Sequence, residues 1–134
     1  MSAPVTFSSP VKTARANAYV NQLAGGYLII YTEGSSAPAN ADIAILDQVA
    51  LVRFDLSSPA GSVTNGVFTC DSIAPQVALE SGIAFFARGY TSSDVAVCDL
   101  SVGTQGSSSA VEINDINIIQ GGYNMIVSFN IAEG

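Results

Sequence analysis

The chain has 134 residues and a mass of 13.7 kDa, the size of one domain, with 49% apolar and only 11% charged residues. That balance, with a mean hydropathy of +0.40, excludes a disordered chain. Eleven acidic residues against four basic ones (Lys12, Arg15, Arg53, Arg88) give a net charge of −7 that repels phosphate backbones, and no apolar run approaches the ~20 residues that cross a bilayer, so neither nucleic acid nor membrane is an expected partner.

Residues 1–12 mix Pro, Ser, Thr and Val without helical period and read as an extended arm, or alternatively as an edge strand of the domain that spans 13–134. Thr13 can cap a helix near 13–24, in which Ala16, Tyr19, Val20 and Leu23 form one apolar stripe closed by Gly25-Gly26. A helix this short is marginal alone in water and must dock that stripe. Lys12 and Arg15 lie at the positive end of its dipole, which is unfavourable by ~0.3–1 kcal/mol and makes a neighbour's carboxylate a candidate partner.

After Gly26, β-branched and aromatic runs alternate with Gly, Ser, Pro, Asn and Asp clusters, the pattern of strands and turns. Strands are expected at 27–32, apolar on both faces and hence central, and at 45–56, with an irregular start at Asp47 and Gln48. The dipeptide Asn65-Gly66 marks a hairpin turn before a strand at 67–73. At 83–90, Ile83, Phe85 and Ala87 share one face and Phe86, Arg88 and Tyr90 the other, so both faces are covered and Arg88 needs a carboxylate or carbonyl partner. Strands at 94–102, 110–114 and 123–131 follow; in the last, Tyr123, Met125, Val127, Phe129 and Ile131 alternate as an inner face, with Ile126 out of place. This succession predicts an all-β, single-domain β-sandwich, jelly-roll-like or immunoglobulin-like, with one short N-terminal α-helix and an extended N-terminal arm.

The absence of histidine removes the commonest general base, the usual Ser and Cys triads and the commonest metal ligand, and two cysteines alone cannot complete a zinc site. Cys70 and Cys98 read as small buried hydrophobes kept reduced in a cytosolic setting, with a disulfide left open. Asp42, Asp47, Asp94, Asp99, Glu112 and Asp115 are candidates for a glycosidase pair, and Asp94 and Asp115 for a calcium site, but their Ser, Asn and Gly neighbours read as turns. Gly103-Thr104-Gln105-Gly106 and Gly121-Gly122 lack the lysine of a phosphate loop and read as turns, and Ser107-Ser108-Ser109 as a flexible loop. No enzyme, cofactor or metal is expected, and the candidate contact residues are Lys12, Arg15, Tyr19 and Arg88.

The order of a short arm, Lys12-Thr13-Ala14-Arg15, Gly25-Gly26-Tyr27-Leu28-Ile29-Ile30-Tyr31-Thr32, Phe85-Phe86-Ala87-Arg88, Val102-Gly103-Thr104-Gln105-Gly106-Ser107, the 113–119 segment, Gly121-Gly122 and Ser128-Phe129-Asn130-Ile131 resembles the small β-rich virion structural proteins of tailed bacteriophages. The resemblance spans nearly the whole chain and is carried by turn glycines and alternating strands, with no active-site residues to transfer. It implies a capsid decoration or cement protein, a homo-oligomer on the capsid exterior of the virion whose partner is the major capsid protein or another virion protein. Assembly in the host cytoplasm suits the start Met1-Ser2-Ala3-Pro4. A tail, neck or fibre-associated role would suit the same pattern. A carbohydrate- or receptor-binding sandwich is the alternative from another class, with Tyr31 and Tyr90 as its aromatics if they are exposed. The chain departs from the resemblance at 72–82, where an apolar stretch containing Pro75 replaces the polar turn expected there.

Overall fold

The computed structural model describes residues 7–132. One helix, α1 (Ser9–Leu23), is followed by twelve strands among the described residues. Pro10 stands in the first turn of α1, where its fixed φ is already helical and its missing N–H costs nothing. The helix therefore begins four residues before Thr13, and the segment from Ser9 to Lys12 is helix rather than arm; residues 1–6 of the expected arm lie outside the described residues. Ser8 occupies the cap position, and the hydroxyl of Thr13 instead accepts the N–H of Gly66 at 3.2 Å, tying the helix to a hairpin.

Ala16, Val20 and Leu23 are buried and Tyr19 half-buried, so the expected stripe is the docking face. The chain leaves the helix through Gly25, at φ +71°, whose N–H reaches the Ser57 carbonyl at 3.0 Å. At Gly26 a Cβ would stand 1.9 Å from the carbonyl oxygen of Tyr90, so only glycine lets the chain pass there.

Eight strands form one curled sheet in the order β2-β1-β7-β8-β9-β12-β4-β3. Its first wing is β2 (Ala50–Asp55), β1 (Tyr27–Tyr31), β7 (Phe86–Tyr90) and β8 (Ala96–Thr104); its second is β9 (Val111–Ile113), β12 (Ile126–Ala132), β4 (Val67–Cys70) and β3 (Gly61–Thr64). Leu28, Ile30, Val52 and Phe54 from the first wing share one core with Phe68, Val111, Ile113 and Phe129 from the second. The Phe68 and Phe129 rings meet edge to face at 5.3 Å. Helix α1 touches β3 and β4 of one wing and β7 and β8 of the other. The result is the expected single β-sandwich-like domain with a short helix. The hairpin β3–β4 turns at Asn65 (φ +50°) and Gly66 (φ +80°), the two left-handed positions that this dipeptide favours.

Neighbouring strands are antiparallel except β8 and β9, which run parallel although only residues 105–110 join them. Parallel neighbours ordinarily need a much longer crossover. Here the Glu112 carboxylate collects the link, accepting the N–H of Gly106 at 3.2 Å, the N–H of Ser108 at 3.0 Å and the Ser128 hydroxyl at 3.3 Å. The serine run expected to be a flexible loop is thus a hydrogen-bonded turn.

Three expected strands end differently. Residues 45–49 stay out of β2 because Asp47 and Gln48 bond across their own loop, to Ser35, Glu33 and Ser36. The segment 83–90 divides into β6 (Gly82–Ile83) and β7, and 123–131 into β11 (Tyr123–Asn124) and β12. A register shift between Ile126 and Ser128 inserts one residue, which turns everything before it to the opposite face. Phe129 is therefore buried as expected, whereas Tyr123, Met125 and Val127 face outward and Asn124 and Ile126 inward.

Replacing Gly26 with alanine is expected to lower unfolding stability by at least about 3 kcal/mol, since neither the Tyr90 backbone nor the helix end can yield. Urea titration of the variant and the parent chain measures the difference.

Candidate docking surface

Arg88, in the middle of β7, is 3% exposed. Its Nε donates to Asp99 Oδ1 at 2.7 Å and its Nη2 to Oδ2 at 3.0 Å, across the β7–β8 ladder that pairs these residues. Nη1 donates to the carbonyl of Ile43 at 2.7 Å and Nη2 to that of Asn40 at 3.2 Å. The bond to Asp99 holds the guanidinium pKa above its ordinary value although burial opposes it. The partner expected for Arg88 is thus both a carboxylate and carbonyls, all within the chain. Of the candidate contact residues, Arg88 is enclosed within its own chain. Tyr19 also turns inward, edge-on to Phe68 with ring centroids 6.5 Å apart. Lys12 and Arg15 remain on the helix surface, with the Arg15 guanidinium 4.5 Å over the ring of Phe7.

Of the tyrosines considered for a glycan platform, Tyr31 is buried and Tyr90 half-buried. Tyr31 is 6% exposed, stacks on Phe86 at 5.3 Å and shares a 2.7 Å hydrogen bond with the Tyr90 hydroxyl. Tyr90 stacks on Tyr27 at 4.9 Å, and the Tyr27 hydroxyl donates to Asp94 at 2.8 Å. On Tyr27 rests the Arg53 guanidinium, 3.8 Å from the ring centre, which also pairs with Asp55 at 3.0 Å. Burial first, then the hydrogen bonds, raises the pKa of Tyr27 and Tyr31.

The carboxylates mostly serve their own loops. Asp94 holds Tyr27, Asp99 holds Arg88, Glu112 holds the β8–β9 link, and Asp115 accepts the Asn117 N–H at 2.9 Å. Asp47 accepts both the hydroxyl and the N–H of Ser35, which lower its pKa. Among the described residues no three such groups converge where a metal could sit. Cys70 and Cys98 are free half-buried thiols whose pKa burial pushes up to about 11.

The surface that stands out is built from residues 76–84 and 116–124. β5 (Gln76–Val77) pairs with β11, and β6 with β10 (Asn117–Ile118). Both ladders keep one register, and bonds from Ala78 N–H to Gly122 and from Ala84 N–H to Ile116 extend them, so 76–84 and 116–124 form a single antiparallel ribbon. Its inner face carries Ala78, Ala84, Ile118 and Asn124, all buried. Its outer face carries Val77, Leu79, Ile83, Ile119 and Tyr123 at 44, 57, 60, 71 and 76% exposure. Five large apolar side chains thus point to solvent and only one, Ile118, to the core, the reverse of a ribbon patterned for water. Val77 and Tyr123 are direct cross-strand partners, and Ile119 and Tyr123 line one shallow depression. Exposed apolar side chains gathered on one face are often functional.

No family model, curated protein or solved structure matches the chain. Sequence reasoning missed the ribbon because the helical and strand periods locate faces but not which face lacks a neighbour; the one signal was the apolar stretch around Pro75 in a place fit for a turn.

Two outcomes follow from these geometries. Arg88→Met leaves the Asp99 carboxylate and two loop carbonyls without their donor and is expected to cost about 3 kcal/mol in a denaturant titration. Stability is also expected to fall as pH rises from about 9, where an unfolded thiol ionises, to about 11, where the folded thiols do, because the folded chain keeps protons that the unfolded chain has released. The raised tyrosine pKa values deepen the loss above pH 10. Urea midpoints across this range should decline less steeply for the Cys70→Ser, Cys98→Ser double variant.

Proposed function

We propose that the chain is a structural protein of a bacteriophage virion, a decoration protein that docks on the capsid exterior through protein–protein contacts. The observation that carries this reading is the ribbon whose outer face exposes Val77, Leu79, Ile83, Ile119 and Tyr123. Covering a Leu, Ile or Val side chain contributes ~1.5–3 kcal/mol when burial is complete, so a single copy would dock modestly. Many copies on a shell, especially if joined as a homo-oligomer, gain from effective concentration. The low charge of the chain supports the same role, because few ionised groups on the docking face would have to leave water. The resemblance in strand and turn order to small virion proteins is the second support.

Protein counting by mass spectrometry on purified particles of the encoding phage tests the reading. The expected result is a copy number that scales with the capsid lattice; a handful of copies at the tail or neck, or none, would remove it. The triple variant Leu79→Ser, Ile119→Ser, Tyr123→Ser should keep its thermal unfolding within a small shift, as exposed positions do, and lose at least tenfold in particle occupancy.

A further inference from the structure

Between β1 and β2 the chain makes a long excursion, residues 33–48, whose ends are pinned together: the Thr32 N–H donates to the Val49 carbonyl at 3.1 Å, and the Val49 N–H to the Thr32 hydroxyl at 3.0 Å. A loop of this length without secondary structure is uncommon in a compact domain, and one that closes on itself at the neck is frequently functional. It is held from inside by two buried polar side chains. Gln48, 8% exposed, donates to the carbonyls of Glu33 (3.2 Å) and Ser36 (2.8 Å) and accepts the Leu46 N–H at 2.9 Å. Arg88 holds the carbonyls of Asn40 and Ile43. Burying a guanidinium and an amide is unfavourable unless each is well bonded, and here the bonds fix a loop that could otherwise be short.

What the wiring presents is Leu46, 83% exposed and the most exposed large apolar residue among those described, with Ile43 and Val49 beside it in sequence at 41% and 43%. The same excursion carries the exposed acids Glu33, Asp42 and Asp47. Leu46 stands near the neck of the loop, its backbone N–H held by Gln48, and a loop whose backbone is already bonded in place binds without the ordering cost that a flexible one would bear.

We propose that this loop is a docking finger whose Leu46 enters an apolar cleft of a heterologous partner protein rimmed by lysine or arginine. The proposal rests on the reading of the chain as a docking protein and adds a second contact to the ribbon. Charge decides the occupant. A second copy offers few cations: Arg88 is enclosed, Arg53 is paired with Asp55, and Lys12 and Arg15 both lie on the helix, Arg15 over the ring of Phe7. It would bring a surface of net charge −7 against another of the same sign, whereas a basic rim meets Glu33, Asp42 and Asp47 with complementary charge.

The test places the photo-crosslinking residue p-benzoylphenylalanine singly at Leu46, at Ile119 of the ribbon and at Asn65 of the opposite hairpin as control, in the full chain produced during phage growth. Crosslinked peptides are then sequenced. The expected result is that position 46 joins one virion protein, at a peptide containing apolar residues and at least one lysine or arginine, and that Asp42→Lys lowers the yield at least fivefold. Crosslinking of position 46 to another copy of this chain, to many unrelated proteins, or to a peptide without basic residues would overturn the proposal. Silence at 46 with a virion crosslink at 119 overturns the finger and leaves the docking reading standing; silence at both sinks both.

Discussion

The structure depends on one buried ion pair. Arg88 sits where two sheet neighbours and a covering loop converge, and its guanidinium is enclosed on all sides. Placing a full charge there would be prohibitive without the Asp99 carboxylate opposite it, and the two carbonyl bonds complete the neutralisation. The geometry of the pair then dictates the surroundings. β7 must hold its register against β8 for the fork to meet both carboxylate oxygens, and residues 40–43 must lie over the sheet for their carbonyls to reach. The stack of Tyr27, Tyr90, Tyr31 and Phe86 is on the same face of β1 and β7 as the pair, so the loop that Arg88 anchors belongs to the cover of that side of the first wing. A core of aliphatic side chains would be content with several registers; this one accepts a single register.

Much of this was legible in the residues and some was not. Alternation at 83–90 showed that β7 is covered on both faces and that Arg88 lacked a partner, but a charge pairing eleven residues away and two carbonyls from a distant loop leave no local mark. The Asn65-Gly66 turn and the helix stripe were readable because their causes lie within a few residues. The helix start was misplaced by favouring the capping hydroxyl of Thr13 over the ring of Pro10. In the final strand a strict two-residue period was projected through the register shift near Val127, and every side chain before the shift changed sides. The outer ribbon could be suspected at 72–82 but not located, since exposure is a property of what is absent alongside.

The ribbon and the loop share a logic. Each keeps apolar side chains out of the core, one by turning Val77, Leu79, Ile83, Ile119 and Tyr123 outward, the other by holding the loop that exposes Leu46 on the buried Gln48 and Arg88. The polar groups of the interior therefore shape surfaces, while the charged groups of the surface are few and mostly tied to their own turns.

The position of β12 bears on how the chain reaches this state. It comes last among the described strands yet lies between β9 and β4, so the hairpin β3–β4 has no partner on its inner edge until some sixty residues later have emerged. Closure of the second wing is thus deferred until β12 has emerged, and a nascent chain stalled before 126 would carry two open sheet edges at once. Topologies dominated by such remote pairings fold slowly, which places the burden of avoiding edge-to-edge association on the interval before β12 pairs.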